Sequence, residues 1–292
     1  MILDVHADIV GGTKQSILLA IAAGAQLAGF KVNLVRCNHI NPNNCSLLWR
    51  YPNQGETILE NIVKAKEKNK LFFINSNYFK AYHIDPSATL TNEYYRIMWK
   101  SIYDNEAIYP DKPENIDRVN FYRYHNYDLK PWNKNGDTVL IIANKVGTFG
   151  CNGINVQEWI DEQIEECRRE GYENIVVQLH PLNTTLKIKN NVTLEKGNLK
   201  NTLKKYNIKF AIIYNSGACT ECLIEGIPTF IKGPNSPAKN FSNMQNMHDI
   251  GYNVDRHKFI KEASYKMWNI EDIKLGKPWK SLLEKYEQDN IL

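Results

Sequence analysis

Short apolar segments alternate with helical segments along the second half of the chain, and this alternation is the feature that most constrains the fold. The segments expected to be strands are Thr138–Ala143, Asn174–Gln178, Phe210–Tyr214 and Pro228–Ile231. The segments expected to be helices are Val156–Glu170, Leu199–Tyr206 and Ala218–Ile224. Because helices that connect successive strands make those strands parallel, the pattern predicts a doubly wound parallel sheet.

The first half opens with the same kind of unit. Its expected elements are a strand Ile2–His6, a turn at Gly11–Gly12, a helix Thr13–Ala28 and a strand Lys31–Arg36, followed by a helix Ile58–Lys68 and a strand Leu71–Asn75. Residues 81–136 show no clear period, and a boundary is expected near 129–137. The chain is therefore divided into residues 1–130, 131–254 and 255–292, the last predicted to form one or two helices, broken at Gly276, that cross back to the first lobe.

Composition limits the classes of protein that the chain can represent. The 292 residues are 43% hydrophobic, which is enough for two ordinary domains. The net charge of +4 permits a polyanionic partner without requiring one. The first residues carry acidic side chains where a signal peptide is basic, and the apolar stretch Ile17–Leu27 is too short to span a bilayer. We expect a cytoplasmic protein with six reduced cysteines and no stable membrane insertion. If the protein is viral, this means the cytoplasm of the host.

One strand leads directly into a turn suited to binding an anion. Phe210–Tyr214 is followed by Asn215, Ser216 and Gly217, and a helix then begins. Backbone N–H groups at the start of a helix favour a diphosphate. Glu221, one turn later, is placed to accept hydrogen bonds from ribose hydroxyls. The alternative is an ordinary strand-turn-helix connection in which Glu221 is solvated.

A histidine ends the preceding predicted strand of the same sheet. The sequence VVQLHP places His180 directly after the apolar residues, about 35 residues before the Ser-Gly turn. Carboxyl ends of parallel strands meet at one edge, so His180 is expected near the turn, where it can donate to a diphosphate. The alternative is a histidine bonded only to backbone.

These motifs resemble those of glycosyltransferases of the GT-B type. The order Ser-Gly, Glu221, Gly226-Ile227-Pro228 resembles the donor-site motif, and His180-Pro181 resembles an Arg-x-His-Pro in which Gln178 replaces the arginine. Several segments between about residues 70 and 285 also resemble small bacteriophage glycosyltransferase-like proteins. The segments are Lys130-Pro131-Trp132, Gly136-Asp137, Gln157–Ile160 and Asp255–Trp279. The resemblance implies an α/β fold in which two Rossmann-like lobes with parallel sheets face a central cleft.

The resemblance also implies roles for particular residues. The donor-binding residues implied are Gly11, Gly12, Thr13, His180, Asn215, Ser216, Gly217 and Glu221. An inverting transfer needs a base for the acceptor hydroxyl, and the candidates are Asp8, which is preferred, and His6. The alternative for Asp8 is a cap of the first helix. A nucleotide-sugar, with UDP as the nucleotide, is the expected donor. No cofactor or metal is expected to be required, because the chain has no Asp-x-Asp motif.

Several acceptors and other classes of protein stay open. The acceptor implied is a hydroxymethylated base in viral double-stranded DNA. One alternative acceptor is a cell-surface polysaccharide or its precursor, with 258–275 as a membrane-binding helix. The other alternative is a non-catalytic protein of the same fold.

The glycine spacing fits neither a Walker P-loop nor a Rossmann dehydrogenase. Cys219 and Cys222 are expected to be buried helix thiols. The set Cys37, His39 and Cys45 is weak evidence for a metal site.

Overall fold

The structure of the chain is a computed structural model, and it describes residues 1–7, 13–35, 41–49, 62–63, 66, 70–76, 94–103, 106–111, 129–147, 151, 153–188 and 191–291. The chain divides into two compact units. Unit 1 contains Met1–Phe121 and Lys261–Leu292, and unit 2 contains Tyr122–Ile260. The sequence-based boundaries lie after residues 130 and 254, and most of the predicted helix Ile58–Lys68 lies outside the described residues.

The described residues form eleven strands and seven α-helices. The strands are β1 (Ile2–Val5), β2 (Lys31–Leu34), β3 (Cys45–Trp49), β4 (Leu71–Ser76), β5 (Tyr94–Trp99), β6 (Thr138–Ile142), β7 (Ile175–Leu179), β8 (Thr193–Lys196), β9 (Ile208–Ile213), β10 (Thr229–Ile231) and β11 (Met267–Asn269). The helices are α1 (Thr13–Leu27), α2 (Val156–Arg169), α3 (Leu199–Lys205), α4 (Ala218–Ile224), α5 (Arg256–Tyr265), α6 (Ile270–Lys274) and α7 (Lys277–Ile291).

Unit 1 is built on a mixed sheet, sheet A, with the strand order β11-β5-β4-β3-β1-β2. Strands β1 to β4 are parallel, whereas β5 and β11 pair antiparallel at one edge. The expectation of a parallel sheet is therefore correct for four strands and wrong for the two at this edge. The sequence of β5, YYRIMW, was not recognised as a strand because almost all of it is buried, and a strand covered on both faces shows no polar-apolar alternation.

One face of sheet A packs against α1, α6 and α7. The buried side chains of this core include Leu3, Ile21, Phe72 and Trp279. Helices α1 and α6 approach so closely that a Cβ at Gly24 would lie 1.8 Å from the carbonyl oxygen of residue 273. Glycine is therefore required in the middle of α1, despite its low helix propensity, because any side chain would push α6 away.

The C-terminal region corrects one sequence-based expectation. Residues 255–285, predicted to be one or two helices, contain α5, strand β11, α6 and the start of α7. The predicted break at Gly276 is confirmed, since this residue has φ +77° and α7 begins directly after it. The strand was missed because Met267 and Trp268 are apolar residues that fit a helix face equally well, and only their pairing with β5 reveals a strand.

Unit 2 is built on an entirely parallel sheet, sheet B, with the order β10-β9-β6-β7-β8. The chain is therefore a mixed α/β protein in which parallel strands predominate. Strands β6, β7, β9 and β10 follow the sequence-based expectation closely. Strand β8 was missed because its sequence, TLEK, lies at an edge and is largely exposed, so it has no apolar period to detect.

Helix α2 illustrates how local sequence fixes an element of unit 2. Asn155 caps it, and the Asn155 side chain accepts hydrogen bonds from the backbone N–H groups of Gln157 and Glu158. Two arginines lie in the last turn, where the helix dipole favours positive charge. Its buried face, which includes Trp159 and Ile164, covers sheet B. Among the helices of the described residues, none combines the length and the apolar character that crossing a membrane would require.

Candidate functional site

Sheet B contains a topological switch point between β6 and β9. From β6 the chain proceeds to β7 and β8 on one side, and then to β9 and β10 on the other. Loops that follow β6 and β9 therefore run in opposite directions, and a crevice forms outside the carboxyl ends of these strands. Ligands of doubly wound sheets bind in such crevices. The residues that follow the two strands are 143–147 and 214–217.

The loops after β6 and β7 are joined by one side chain. Asn183, which is 5% exposed, donates from Nδ2 to the carbonyl oxygen of Asn144 over 2.8 Å. Its Oδ1 accepts the backbone N–H of Val146 over 2.9 Å, and its own N–H donates to the carbonyl of His180 over 2.8 Å. Two bonds from one buried side-chain amide therefore join the two loops, and the backbone bond to His180 closes the turn after β7.

His180 follows β7, and its tautomer is fixed by the backbone. Its Nδ1 accepts the N–H of Leu182 over 3.1 Å, so a neutral imidazole carries its proton on Nε2. Burial lowers the pKa of His180 below its ordinary value, and the nearby charge of Lys145 lowers it further. The ring is therefore neutral at pH 7 and presents an Nε2–H donor beside a lysine.

The turn after β9 offers backbone donors to open space. The N–H of Ala218 donates to Ser216 Oγ over 3.2 Å, while the N–H groups of Ser216 and Gly217 meet no acceptor among the described residues. A Cβ placed on Gly217 would have no atom within 4 Å. Helix α4, which begins here, has only seven residues, so these two N–H groups and the neighbouring side chains matter more than its dipole.

Asn215 is placed to support this turn. Its Oδ1 accepts the N–H of Asn235 over 2.9 Å and thereby ties the loop after β10 to the loop after β9. A Cβ on Gly233 would lie 2.1 Å from that oxygen, so the close approach requires glycine. Contact between Asn215 and a ligand stays a prediction, and the described bonds give it a positioning role.

Glu221 lies in the first turn of α4 and is partly buried. Burial raises its pKa from 4.5 to about 7, the negative charge of Glu225 adds to this rise, and Lys200 opposes it. Its carboxyl group therefore ionises near neutral pH. A carboxylate that ionises in this range is sensitive to hydrogen-bond donors brought by a ligand.

Gln178, the residue that stands where the resemblance implies an arginine, does not point to the crevice. It is 4% exposed, and its amide donates to the carbonyl oxygens of Leu179 and Gly197, both at 3.2 Å. Its Oε1 accepts the hydroxyl of Thr202 on α3. Gln178 therefore joins β7 to α3, and the positive charge near the crevice comes from Lys145.

The predicted residues of the first lobe are described only in part. Asp8, Gly11 and Gly12 lie outside the described residues, and so does the side chain of Thr13, the first residue of α1. His6 follows β1, at the switch point of sheet A between β1 and β3. It is 1% exposed, and its Nε2 lies 3.2 Å from the hydroxyl of Ser46. The roles of His6 and Asp8 as candidate bases stay predictions.

The structure describes one of the two cysteine motifs completely and the other only in part. Cys219 and Cys222 are both fully buried, and burial raises the pKa of each thiol, so the expectation of buried helix thiols is confirmed. Cys45 is buried in β3, while Cys37 and His39 lie outside the described residues. The five described cysteines are free, and the described residues contain no group of three His, Cys, Asp or Glu side chains placed to bind a metal.

Asn144, Lys145 and Asn183 were not singled out from the sequence. Asn144 and Lys145 directly follow the apolar run TVLIIA, so the rule that ligands bind after parallel strands could have found them. Asn183 gives no such signal, because it lies in an irregular loop and only the folded chain brings it to Asn144.

No family model matches the chain, and no curated protein matches it. An assignment of function therefore depends on the geometry of these residues.

Proposed function

We propose that the chain is a nucleotide-sugar-dependent glycosyltransferase whose donor binds at the switch point of sheet B. The observation that carries the proposal is that three features follow the carboxyl ends of β7, β6 and β9, which are adjacent strands of sheet B. These are the Nε2–H of His180, the ammonium group of Lys145 and the open turn at Ser216 and Gly217. Together they supply one positive charge and several hydrogen-bond donors, as a diphosphate requires.

Each feature has a place in the proposed reaction. The acceptor hydroxyl oxygen bonds to the anomeric carbon as the bond from that carbon to the diphosphate breaks, and the nucleoside diphosphate leaves. His180 and Lys145 offset the charge that grows on the departing oxygen. Glu221 accepts hydrogen bonds from the ribose. The acceptor proton passes to a base, for which Asp8 is the candidate. Because this charge is offset by side chains, the transfer is proposed to be independent of metal, and because a single displacement occurs at the anomeric carbon, it is proposed to be inverting.

A hydroxymethylated base in double-stranded DNA is the proposed acceptor. Five lysines and no acidic residue lie between positions 196 and 209. Two of them, the exposed Lys204 and Lys205, line a cavity of about 470 Å³ together with Lys130 and Glu225. Lys130 pairs with Glu225 and Lys205 with Glu195, whereas Lys204 has no acidic partner among the described residues. Such a surface favours a phosphate backbone. It adjoins the amino ends of β6 and β9, whereas the switch point lies at their carboxyl ends, so it would bind the duplex at a distance from the base that reacts. The target base would leave the stack to reach the site.

A surface glycan as acceptor is less well supported. It was expected to come with an amphipathic membrane-binding helix at 258–275, but this region is a helix, a strand and a second helix. Apart from the exposed Leu275, most of its apolar side chains, among them Phe259, Met267 and Ile273, are buried within the protein. They are therefore not available to a membrane surface.

A thermal-shift panel tests the donor site, with UDP, GDP, CDP, ADP and NAD, each with and without Mg²⁺. A nucleotide at about a hundredfold over its Kd adds about 2.7 kcal/mol to the free energy of unfolding. We expect one nucleoside diphosphate to raise the Tm of the wild type. The shift should be lost in Lys145→Ala and His180→Ala and kept in Lys187→Ala, which removes an exposed lysine on a loop of the same unit. No response to any nucleotide contradicts the proposal, and binding without turnover identifies a non-catalytic protein.

Duplex DNA binding at several salt concentrations tests the acceptor. The slope of log K against log salt should be about 2 smaller in magnitude in the double variant Lys204→Gln, Lys205→Gln, because two phosphate contacts are lost. The matched control is Lys258→Gln with Lys261→Gln, which removes the same charge from exposed positions of α5. Equal slopes for both double variants would remove the lysine surface from the proposal.

A further inference from the structure

A cavity of about 480 Å³ lies in the loop that follows β10, and none of the switch-point residues lines it. One side of the loop runs beside the outer edge of β10, where Asn243 bonds to Thr229. Another side adjoins the segment before β6, because the ring of Tyr252 lies 6.4 Å from that of Trp132. The cavity is therefore a feature of unit 2 separate from the crevice described above.

The loop that forms the cavity is held in place by several bonds. Asn243 donates from its backbone N–H to the carbonyl of Thr229 over 3.0 Å and accepts from the N–H of Gly251 over 2.8 Å. Its side chain also donates to the carbonyl of Gly251. Met244 and Met247 are 4% and 3% exposed and anchor the loop in the core over sheet B. The cavity is therefore formed before any ligand arrives, which reduces the entropy cost of binding.

Four side chains that line the cavity keep unused hydrogen-bonding capacity. The amides of Gln245 and Asn253, the carboxylate of Asp249 and the hydroxyl of Tyr252 form no hydrogen bond with any described residue. The Tyr252 ring itself is braced, since Lys134 Nζ lies 5.5 Å from its centroid and Trp132 meets it edge to face. The cavity thus combines free polar groups with one fixed aromatic ring.

This combination fits a neutral ligand rich in hydroxyl groups. A hydroxyl both donates and accepts, and the amides, phenol and carboxylate provide partners for both functions. The aromatic ring offers an apolar surface to the C–H groups of a sugar. No lysine or arginine is among the described residues that line the cavity, and the Asp249 carboxylate disfavours a phosphate. We propose that this cavity is a saccharide-binding site distinct from the switch point. The proposal stands on the cavity alone and does not require transferase activity.

Ligand-observed saturation-transfer NMR tests the proposal on the full chain with glucose, galactose, mannose, N-acetylglucosamine and lactose at millimolar concentration. We expect at least one of them to bind. Asp249→Asn and Asn253→Ala should each weaken that binding about tenfold, which is the effect of losing a hydrogen bond to a polar ligand. Asn240→Ala, an exposed amide that does not line the cavity, is the matched control and should leave the affinity unchanged.

Added UDP and inorganic pyrophosphate separate this site from the switch point. The saccharide signal should persist in their presence, and displacement by either would assign the sugar to the crevice and overturn the proposal. Absence of binding by every saccharide would also overturn it, as would equal affinity in wild type, Asp249→Asn and Asn253→Ala. Calcium alone is included, because calcium binding that depends on Asp249 without any saccharide signal would identify a cation site instead. Failure of nucleotide binding leaves this outcome unaffected.

Discussion

Asn183 donates its side-chain amide to the carbonyl oxygen of Asn144 over 2.8 Å, and this bond joins the loop after β7 to the loop after β6. The same side chain accepts the backbone N–H of Val146. The loop after β6, which borders the switch point, is therefore tied to the loop after β7 that carries His180. A site whose donors are already positioned loses less entropy when its ligand binds.

Replacement of Asn183 by alanine should weaken both the fold and the site. The carbonyl of Asn144 and the N–H of Val146 would lose their partner, which costs about 1–3 kcal/mol for each buried group. Urea unfolding measures the loss of stability, and titration with the best nucleoside diphosphate of the panel measures the loss of affinity. Asn201→Ala, an exposed amide on α3, is the control. Unchanged affinity in Asn183→Ala would show that the two loops need not be joined for binding.

The tautomer and pKa of His180 give a second prediction. Nitrogen-detected NMR of the imidazole should show a proton on Nε2, because Nδ1 accepts the N–H of Leu182. Its titration midpoint should lie below that of an ordinary histidine. In Lys145→Ala the midpoint should rise, since removal of a nearby positive charge favours the protonated ring. An unchanged midpoint would place Lys145 too far away to share a diphosphate with His180.

The sequence was informative where the periodicity of a segment is strong. Strand β6 is buried along its whole length and β9 at every residue except Lys209, and their apolar runs predict them directly. The carboxyl ends of parallel strands then identify Ser216, Gly217 and His180 as neighbours of a crevice, and the structure places all three after strands of sheet B. This part of the site follows from local sequence and one rule of topology.

The rest depends on contacts that local sequence does not encode. Gln178 stands at a position expected to carry phosphate-binding charge, yet its amide turns inward to Thr202 of α3. Lys145 gives no signal of its own in the sequence. Its proposed role in binding a diphosphate depends on the position of β6 beside β7. The pKa of Glu221 depends on the burial of its side chain in the folded protein and on the charges of Glu225 and Lys200. Such properties emerge from tertiary packing and could not be predicted from residue patterns.

Glu221 gives a prediction about stability and pH. The unfolded chain releases this proton near pH 4.5, whereas the folded chain holds it until about pH 7. Between these values the folded state binds more protons, so the free energy of unfolding falls as pH rises and stays low above pH 7. Glu221→Gln mimics the neutral form and should be more stable than the wild type above pH 7 by about 1–2 kcal/mol, after allowance for partial exposure.

Urea unfolding between pH 4 and pH 8 measures this effect. The difference between Glu221→Gln and wild type should shrink as pH falls and vanish below about pH 4.5. Glu165→Gln, on the exposed side of α2, removes the same charge without burial and serves as the control. A difference that does not change with pH would contradict the assignment of the raised pKa to Glu221.

Substitutions at two glycines near the crevice distinguish effects on stability from effects on binding. At Gly233 a Cβ would lie 2.1 Å from Asn215 Oδ1, so Gly233→Ala must displace Asn215 and lower the free energy of unfolding. At Gly217 a Cβ would meet no atom within 4 Å, and its φ of −61° suits alanine. Gly217→Ala should therefore leave stability unchanged or raise it by up to about 1 kcal/mol.

Gly217→Ala should weaken nucleotide binding even though it does not lower stability. In the proposed complex the space in front of Gly217 is occupied by the diphosphate, whose oxygens accept the N–H groups of Ser216 and Gly217. A methyl group there would keep the phosphate at a distance, and the loss of two charge-assisted hydrogen bonds should weaken nucleotide binding by at least about 3 kcal/mol, or more than a hundredfold. Calorimetric titration of Gly217→Ala with the nucleoside diphosphate identified by the panel measures this directly. A stable Gly217→Ala protein that binds the nucleotide as tightly as the wild type would place the diphosphate elsewhere, because no ligand atom could then occupy the space that the methyl group fills.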